Sequence, residues 1–129
     1  MINYYLFNAT YQNGGRGPLN FDCWGLVREV RYRVCGKALL PEWGAVGFSK
    51  LRENTLAYTR KSPEMRRCTA PEPGAIAAAF RGRLCVHVGV VLSVDGQLSI
   101  LEINPGQRAK LVDPRRFAAA FDEVRYYND

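Results

Sequence analysis

The sequence predicts an α+β fold in which an early helix, carrying a cysteine in its first turn, lies on an antiparallel sheet formed by the second half of the chain. Two observations carry this expectation. Behind Asp22-Cys23, the apolar residues Leu26, Val27, Val30 and Val34 recur at near-helical spacing. Further on, residues 75–80 (AIAAAF), 84–94 (LCVHVGVVLSV) and 97–103 (QLSILEI) are β-rich runs, and Asp95-Gly96 between the last two is a strong hairpin signal.

Each element has a local cause. Residues 13–20, NGGRGPLN, form a turn-rich loop, because glycine supplies positive φ and proline fixes φ near −65°. Asn20 and Asp22 are both competent N-caps for the helix that follows, Arg28, Glu29, Arg31 and Arg33 fall between its apolar positions, and Gly36 supplies a stop. Residues 48–60 (FSKLRENTLAYTR) read as a second helix after a loop built on Pro41, Gly44 and Gly47, ending before Pro63. After the strand runs, Pro105-Gly106 breaks the chain, RRFAAAF supplies a short helical turn, and residues 123–127 (EVRYY) read as a last strand.

The composition bounds the function classes. The chain has 129 residues, 47% of them hydrophobic and 23% charged, which predicts one globular domain over 1–129 with a packed core rather than a disordered or fibrous chain. No apolar run approaches the roughly 20 residues that span a bilayer, and the start MINYYLFNATYQ has no basic stretch, apolar core or cleavage site. Synthesis in the cytoplasm without a signal peptide, and no membrane association, are the corresponding expectations. A formal charge of +6 and a pI near 9.4 favour anionic partners. The arginines are scattered, with no run of five basic residues, so nucleic acid is not expected among them. Cys23, Cys35, Cys68 and Cys85 are expected to be reduced thiols in a chain without a signal peptide, and Cys35 and Cys68 read as packing residues.

The chemistry centres on Cys23 and His87. A lone cysteine in a helix more often fills a core, and a lone histidine in a strand more often packs or solvates. Joined by helix-on-sheet packing, the two could meet as thiol and general base. At the first helical turn, unpaired N–H groups and the helix dipole favour a thiolate over a thiol. Cys85 and His87, two apart on one strand, are expected on the same face, which raises a metal site with Cys23 as a further ligand. No CxxC or HxxxH spacing supports it, and neither metal nor other cofactor is expected.

Three blocks give the chain a resemblance to the NlpC-like family of papain-fold cysteine peptidases, which cut peptidoglycan stem peptides and also occur in phage tails. YQNGGRGPLNFDCWGL is similar to the family's tyrosine, glycine pair, Asp-Cys and Gly-Leu, with Tyr11 twelve positions before Cys23; PEPGAIAAAF resembles its Pro-Gly strand entry; and HVGVVL resembles the strand that carries its histidine. Trp24 stands where serine is most common, as in the phage-tail branch, and Ala75 where aspartate is usual. The resemblance implies a papain-like cysteine peptidase fold with Cys23 as nucleophile, His87 as general base and a polar third member. Glu102 fits that third place best and Asn104, expected on the same strand face, is the rival. Tyr11 is implied as an oxyanion or substrate contact beside the Cys23 N–H, whereas Asp22 reads as a cap. The implied activity is hydrolysis of the amide bond between D-isoglutamate and a diamino acid in peptidoglycan, at the cell wall and as part of a virion tail, with other tail proteins as partners. A structural tail subunit that keeps the peptidase fold, and an injected cell-wall amidase toxin, are the alternatives.

Overall fold

A computed structural model describes residues 2–40 and 66–129. The second helix expected over 48–60 lies outside the described residues. The chain opens with a short helix α1 (Ile2–Asn8), then two short strands, β1 (Thr10–Tyr11) and β2 (Asn20–Phe21), which pair in parallel. Helix α2 runs over Cys23–Arg33. The strands β3 (Arg66–Cys68), β4 (Ile76–Arg81), β5 (Leu84–Val94), β6 (Gln97–Glu102), β7 (Lys110–Val112) and β8 (Glu123–Asn128) build one sheet in the order β3-β8-β4-β5-β6-β7, and α3 (Pro114–Ala119) sits between β7 and β8. All neighbours in that sheet are antiparallel. The protein is therefore α+β, with helices and an antiparallel sheet.

The sheet is covered on both faces. On one, α2 packs through Cys23, Trp24, Leu26, Val27 and Val30 against Ile76, Ala78, Phe80, Val88, Val90 and Leu101. On the other, Phe117 of α3 packs against Ala77, Ala79, Val91 and Ile100. Burial of apolar area on both sides explains why β4 is apolar at nearly every position instead of alternating. The β5–β6 turn is the expected Asp95-Gly96 pair, with φ of 52° and 79°, the left-handed values that a two-residue turn of this kind demands.

One residue departs from its sequence pattern. Arg31, expected among the polar positions of α2, is fully buried. Its Nε donates to the Gly74 carbonyl at 2.8 Å, and its Nη2 donates to Asp129 Oδ1 at 2.8 Å and Asn128 Oδ1 at 3.2 Å. A buried guanidinium is tolerated only when so paired, and here it ties the back of α2 to the β4 entry and to the end of β8.

The front of α2 is fixed by backbone contact. A Cβ on Gly25 would overlap the Gly15 carbonyl oxygen, and one on Gly15 would lie 2.6 Å from the Asn20 carbonyl oxygen and 2.8 Å from Phe21 Cα. The glycines of the NGG loop and of the helix thus allow loop and helix backbones to touch. Gly25→Ala is expected to lower the free energy of unfolding by about 1–3 kcal/mol through overpacking, read as a lower urea midpoint at unchanged slope. An unchanged midpoint would contradict this account of the loop.

Candidate functional site

The site begins with Asp22. Its carboxylate is buried and accepts from the Gly25 N–H at 2.7 Å, capping α2, from the Gly14 N–H at 3.2 Å and from Arg16 Nη1 at 2.8 Å. It is therefore both helix cap and loop anchor, as its position before the helix predicts. Cys23 follows as the first helical residue, with its sulfur hydrogen-bonded by the backbone N–H groups of Val88 and Trp24. Tyr11 pairs with Phe21 across β1 and β2, which carries it toward the same spot. Its phenol is pushed up to about 12 by burial first and then by the negative charge of Cys23 and Asp22, so the phenol and the thiol are electrostatic neighbours.

The histidine strand carries a bulge. Ala79 pairs with His87 but Phe80 pairs with Cys85, so Val86 is an extra residue in β5. Alternation is broken there: Cys85 and Val88 join the core under α2, while His87 emerges on the α3 face. The expectation that Cys85 and His87 share a face is thereby corrected, and with it the geometric basis of the metal alternative. Among the described residues, no group of three or more His, Cys, Asp or Glu could hold a metal ion.

On the α3 face His87 is 2% exposed and Glu102 7% exposed, and His87 Nε2 lies 2.8 Å from Glu102 Oε1. The imidazole stacks near Phe117 and Phe121, with ring centroids at 5.8 and 5.9 Å. Burial pushes the Glu102 carboxyl up, but the hydrogen bond and charge of His87, the charge of Lys110 and a hydrogen bond from Asn104 outweigh it and hold the group below its ordinary value. Glu102 is thus the residue that touches the imidazole, and Asn104, just beyond β6, supports Glu102. A pocket of about 720 Å³ opens on this row, lined by His87, Glu102, Asn104 and Phe117 among others.

Cys23 and Tyr11 do not contribute to that wall. The thiol approaches from the opposite face. The sulfur meets the N–H of Val88, the residue after His87 and the partner of Ala78 in β4. Sulfur and imidazole therefore lie on opposite faces of the sheet, and the expected meeting of Cys23 with His87 as thiol and general base is not made in this structure.

The thiolate expectation is corrected. Cys23 is 5% exposed, and burial, only partly countered by the Val88 and Trp24 N–H groups, pushes its thiol up to about 12. Two amide donors and a helix end do not offset the loss of water around a sulfur anion. Sequence reasoning also missed the Val88 N–H and the aromatic pair Phe117 and Phe121. The RRFAAAF pattern signalled their helical turn but not its place over the histidine.

No helix among the described residues is long and apolar enough to cross a membrane. Compared with protein-family models, curated proteins and solved structures, the chain finds no match.

Because the folded thiol titrates near 12 and an unfolded one near 9, the folded state keeps a proton that the unfolded state releases. This contribution is complete below about pH 9 and is lost as pH rises toward 12. Between pH 9 and 10 the wild-type unfolding free energy should fall more steeply than that of Cys23→Ala, the difference approaching about 1.4 kcal/mol per pH unit in urea titrations. Parallel slopes would mean that the sulfur is hydrated.

Proposed function

We propose that the chain is a cysteine amide hydrolase of the NlpC-like, papain-fold kind, acting on peptidoglycan stem peptides at the bond between D-isoglutamate and a diamino acid. The observation that supports the reading is that a helix-terminal sulfur meets the N–H of Val88, the residue next in the chain to a histidine that Glu102 holds at 2.8 Å. The three sequence blocks around Tyr11, Pro73-Gly74 and His87 supply the substrate class. A cytoplasmically made component of a phage tail, partnered by other tail proteins, fits the same resemblance.

In this mechanism the resting nucleophile is a neutral thiol, as its burial requires. Sulfur must first reach the imidazole from the opposite face of the sheet; with Nε2 turned to Glu102, His87 then takes the thiol proton at Nδ1 as sulfur bonds the scissile carbonyl carbon. The oxyanion is met by the Cys23 N–H and the Tyr11 hydroxyl. His87 then delivers its proton to the leaving amine as the C–N bond breaks, and water, deprotonated by the same nitrogen, hydrolyses the thioester. Glu102 stabilises the imidazolium formed in between, and Asn104 holds Glu102 in place.

Burial of Cys23 favours a second reading, a structural tail subunit that keeps the fold without the activity, because a sealed protonated thiol is a poor nucleophile. One assay separates the two. Incubated with purified peptidoglycan in reducing buffer, the wild type should release new free amines; Cys23→Ala should release none with little change in melting temperature, and His87→Ala should be slower by about 10²–10⁴-fold. Glu102→Ala should lose more activity than Asn104→Ala. No release by the wild type leaves the structural role.

A further inference from the structure

We propose that Lys110 is a positioning residue for His87, acting through Glu102: the ammonium faces the carboxylate that holds the imidazole, and the turn before β7 steers it there. The inference rests on the hydrolase reading for what His87 does, though not for the arrangement of charges. In the pairing of β6 with β7, Lys110 stands directly opposite Glu102, so the two side chains leave the same face of the sheet as cross-strand neighbours, and both line the pocket. Opposite charges so placed favour the ionised carboxyl. His87 reaches the same carboxylate from β5 at 2.8 Å.

One tight turn supplies two of the supports. The Gln107 N–H donates to the Asn104 carbonyl at 3.0 Å, with Pro105 and Gly106 between them and Gly106 at a φ of 76°, the residues and conformation of a type II turn. Its first residue, Asn104, hydrogen-bonds Glu102, and the side chain of its last, Gln107, accepts from Lys110 Nζ at 3.1 Å. Amide and ammonium thus reach one carboxylate from a single corner of the chain. The other charges of the pocket stand on different elements: Arg81 at the end of β4, Asp113 at the cap of α3 and Arg116 within α3. Of the three cations, it is Lys110 whose charge stands with that of His87 among the leading influences that hold Glu102 down. Lys110 is exposed, so replacing it removes a charge without opening the core.

The test follows the Glu102 carboxyl carbon by NMR in full-length protein labelled at glutamate, with Glu102→Gln identifying its resonance, and in parallel the Nε2–H proton of the chain's one histidine. A carboxyl held down by a cation keeps its charge to lower pH, so in Lys110→Met it should take up its proton at higher pH than in the wild type. The imidazole proton bonded to Glu102 should be lost at correspondingly higher pH as acid is added. Lys110→Arg should restore the wild-type titration, and Gln107→Ala should move it in the same direction but less far. Arg116→Met should move it less than Lys110→Met, and the effect of Lys110→Met should shrink as salt is raised. An unmoved carboxyl in Lys110→Met, an equal shift in Arg116→Met, or no recovery in Lys110→Arg would overturn the proposal. The titration needs no turnover: a shift in Lys110→Met beside a wild type that releases no amines would uphold the positioning role and refute the hydrolase. In an active wild type, the acid limb of kcat/KM should move up together with the carboxyl.

Discussion

The buried carboxylate of Asp22 is the constraint on which the rest of the site depends. It joins the Gly14 N–H, the Arg16 guanidinium and the Gly25 N–H in one cluster. The first and second fix the glycine loop, and the third sets the residue at which α2 begins. Since Cys23 is the next residue, the carboxylate decides where the sulfur stands along the sheet. The close approach of Gly15 and Gly25 leaves that arrangement no slack, and Arg31 holds the other end of the helix to residues 74, 128 and 129. Helix position is therefore set at both ends by polar groups removed from water, where unpaired groups would be costly.

Two opposing effects meet at Cys23. The helix terminus and the Val88 amide favour a sulfur anion, and burial disfavours it. Burial wins because loss of water is the largest influence on the sulfur, and the neighbouring Asp22 and Cys85 add to it rather than oppose it. Across the sheet the balance is reversed. Glu102 is also partly desolvated, yet hydrogen bonds from His87 and Asn104 and the nearby Lys110 hold it below its ordinary value. Two groups that are both withdrawn from solvent thus shift in opposite directions, the thiol up and the carboxyl down, and the difference lies in the nearby cation that the carboxyl receives in addition to its hydrogen bonds.

Much of this could be read from the residues alone where the cause is local. Asp22 announces its helix because a cap acts within three residues, and Leu26, Val27 and Val30 announce its buried stripe because their spacing is a property of the helix. Asp95-Gly96 announces the β5–β6 turn because the left-handed φ values are written in the residue types. The burial of Arg31 could not be read, since its partners lie 43 to 98 positions away. Short β3 and β7 have no pattern of their own and exist through their neighbours β8 and β6. The choice of Glu102 over Asn104 as the imidazole's partner was legible as a preference, and Asn104 as its support was not. The bulge left no mark, because an extra valine in a run of valines looks like any other strand position.

That extra valine has a wider meaning. In a pleated strand the two sides are assigned by odd and even count, and Val86 is where β5 changes its count. Everything before it follows one parity and everything after it the other, so the lining of the pocket and the lining of the helix-side core are tied to a single supernumerary residue. Shortening the strand by one there would trade which side chains meet solvent and which meet α2, without altering the chemistry of any residue that remains.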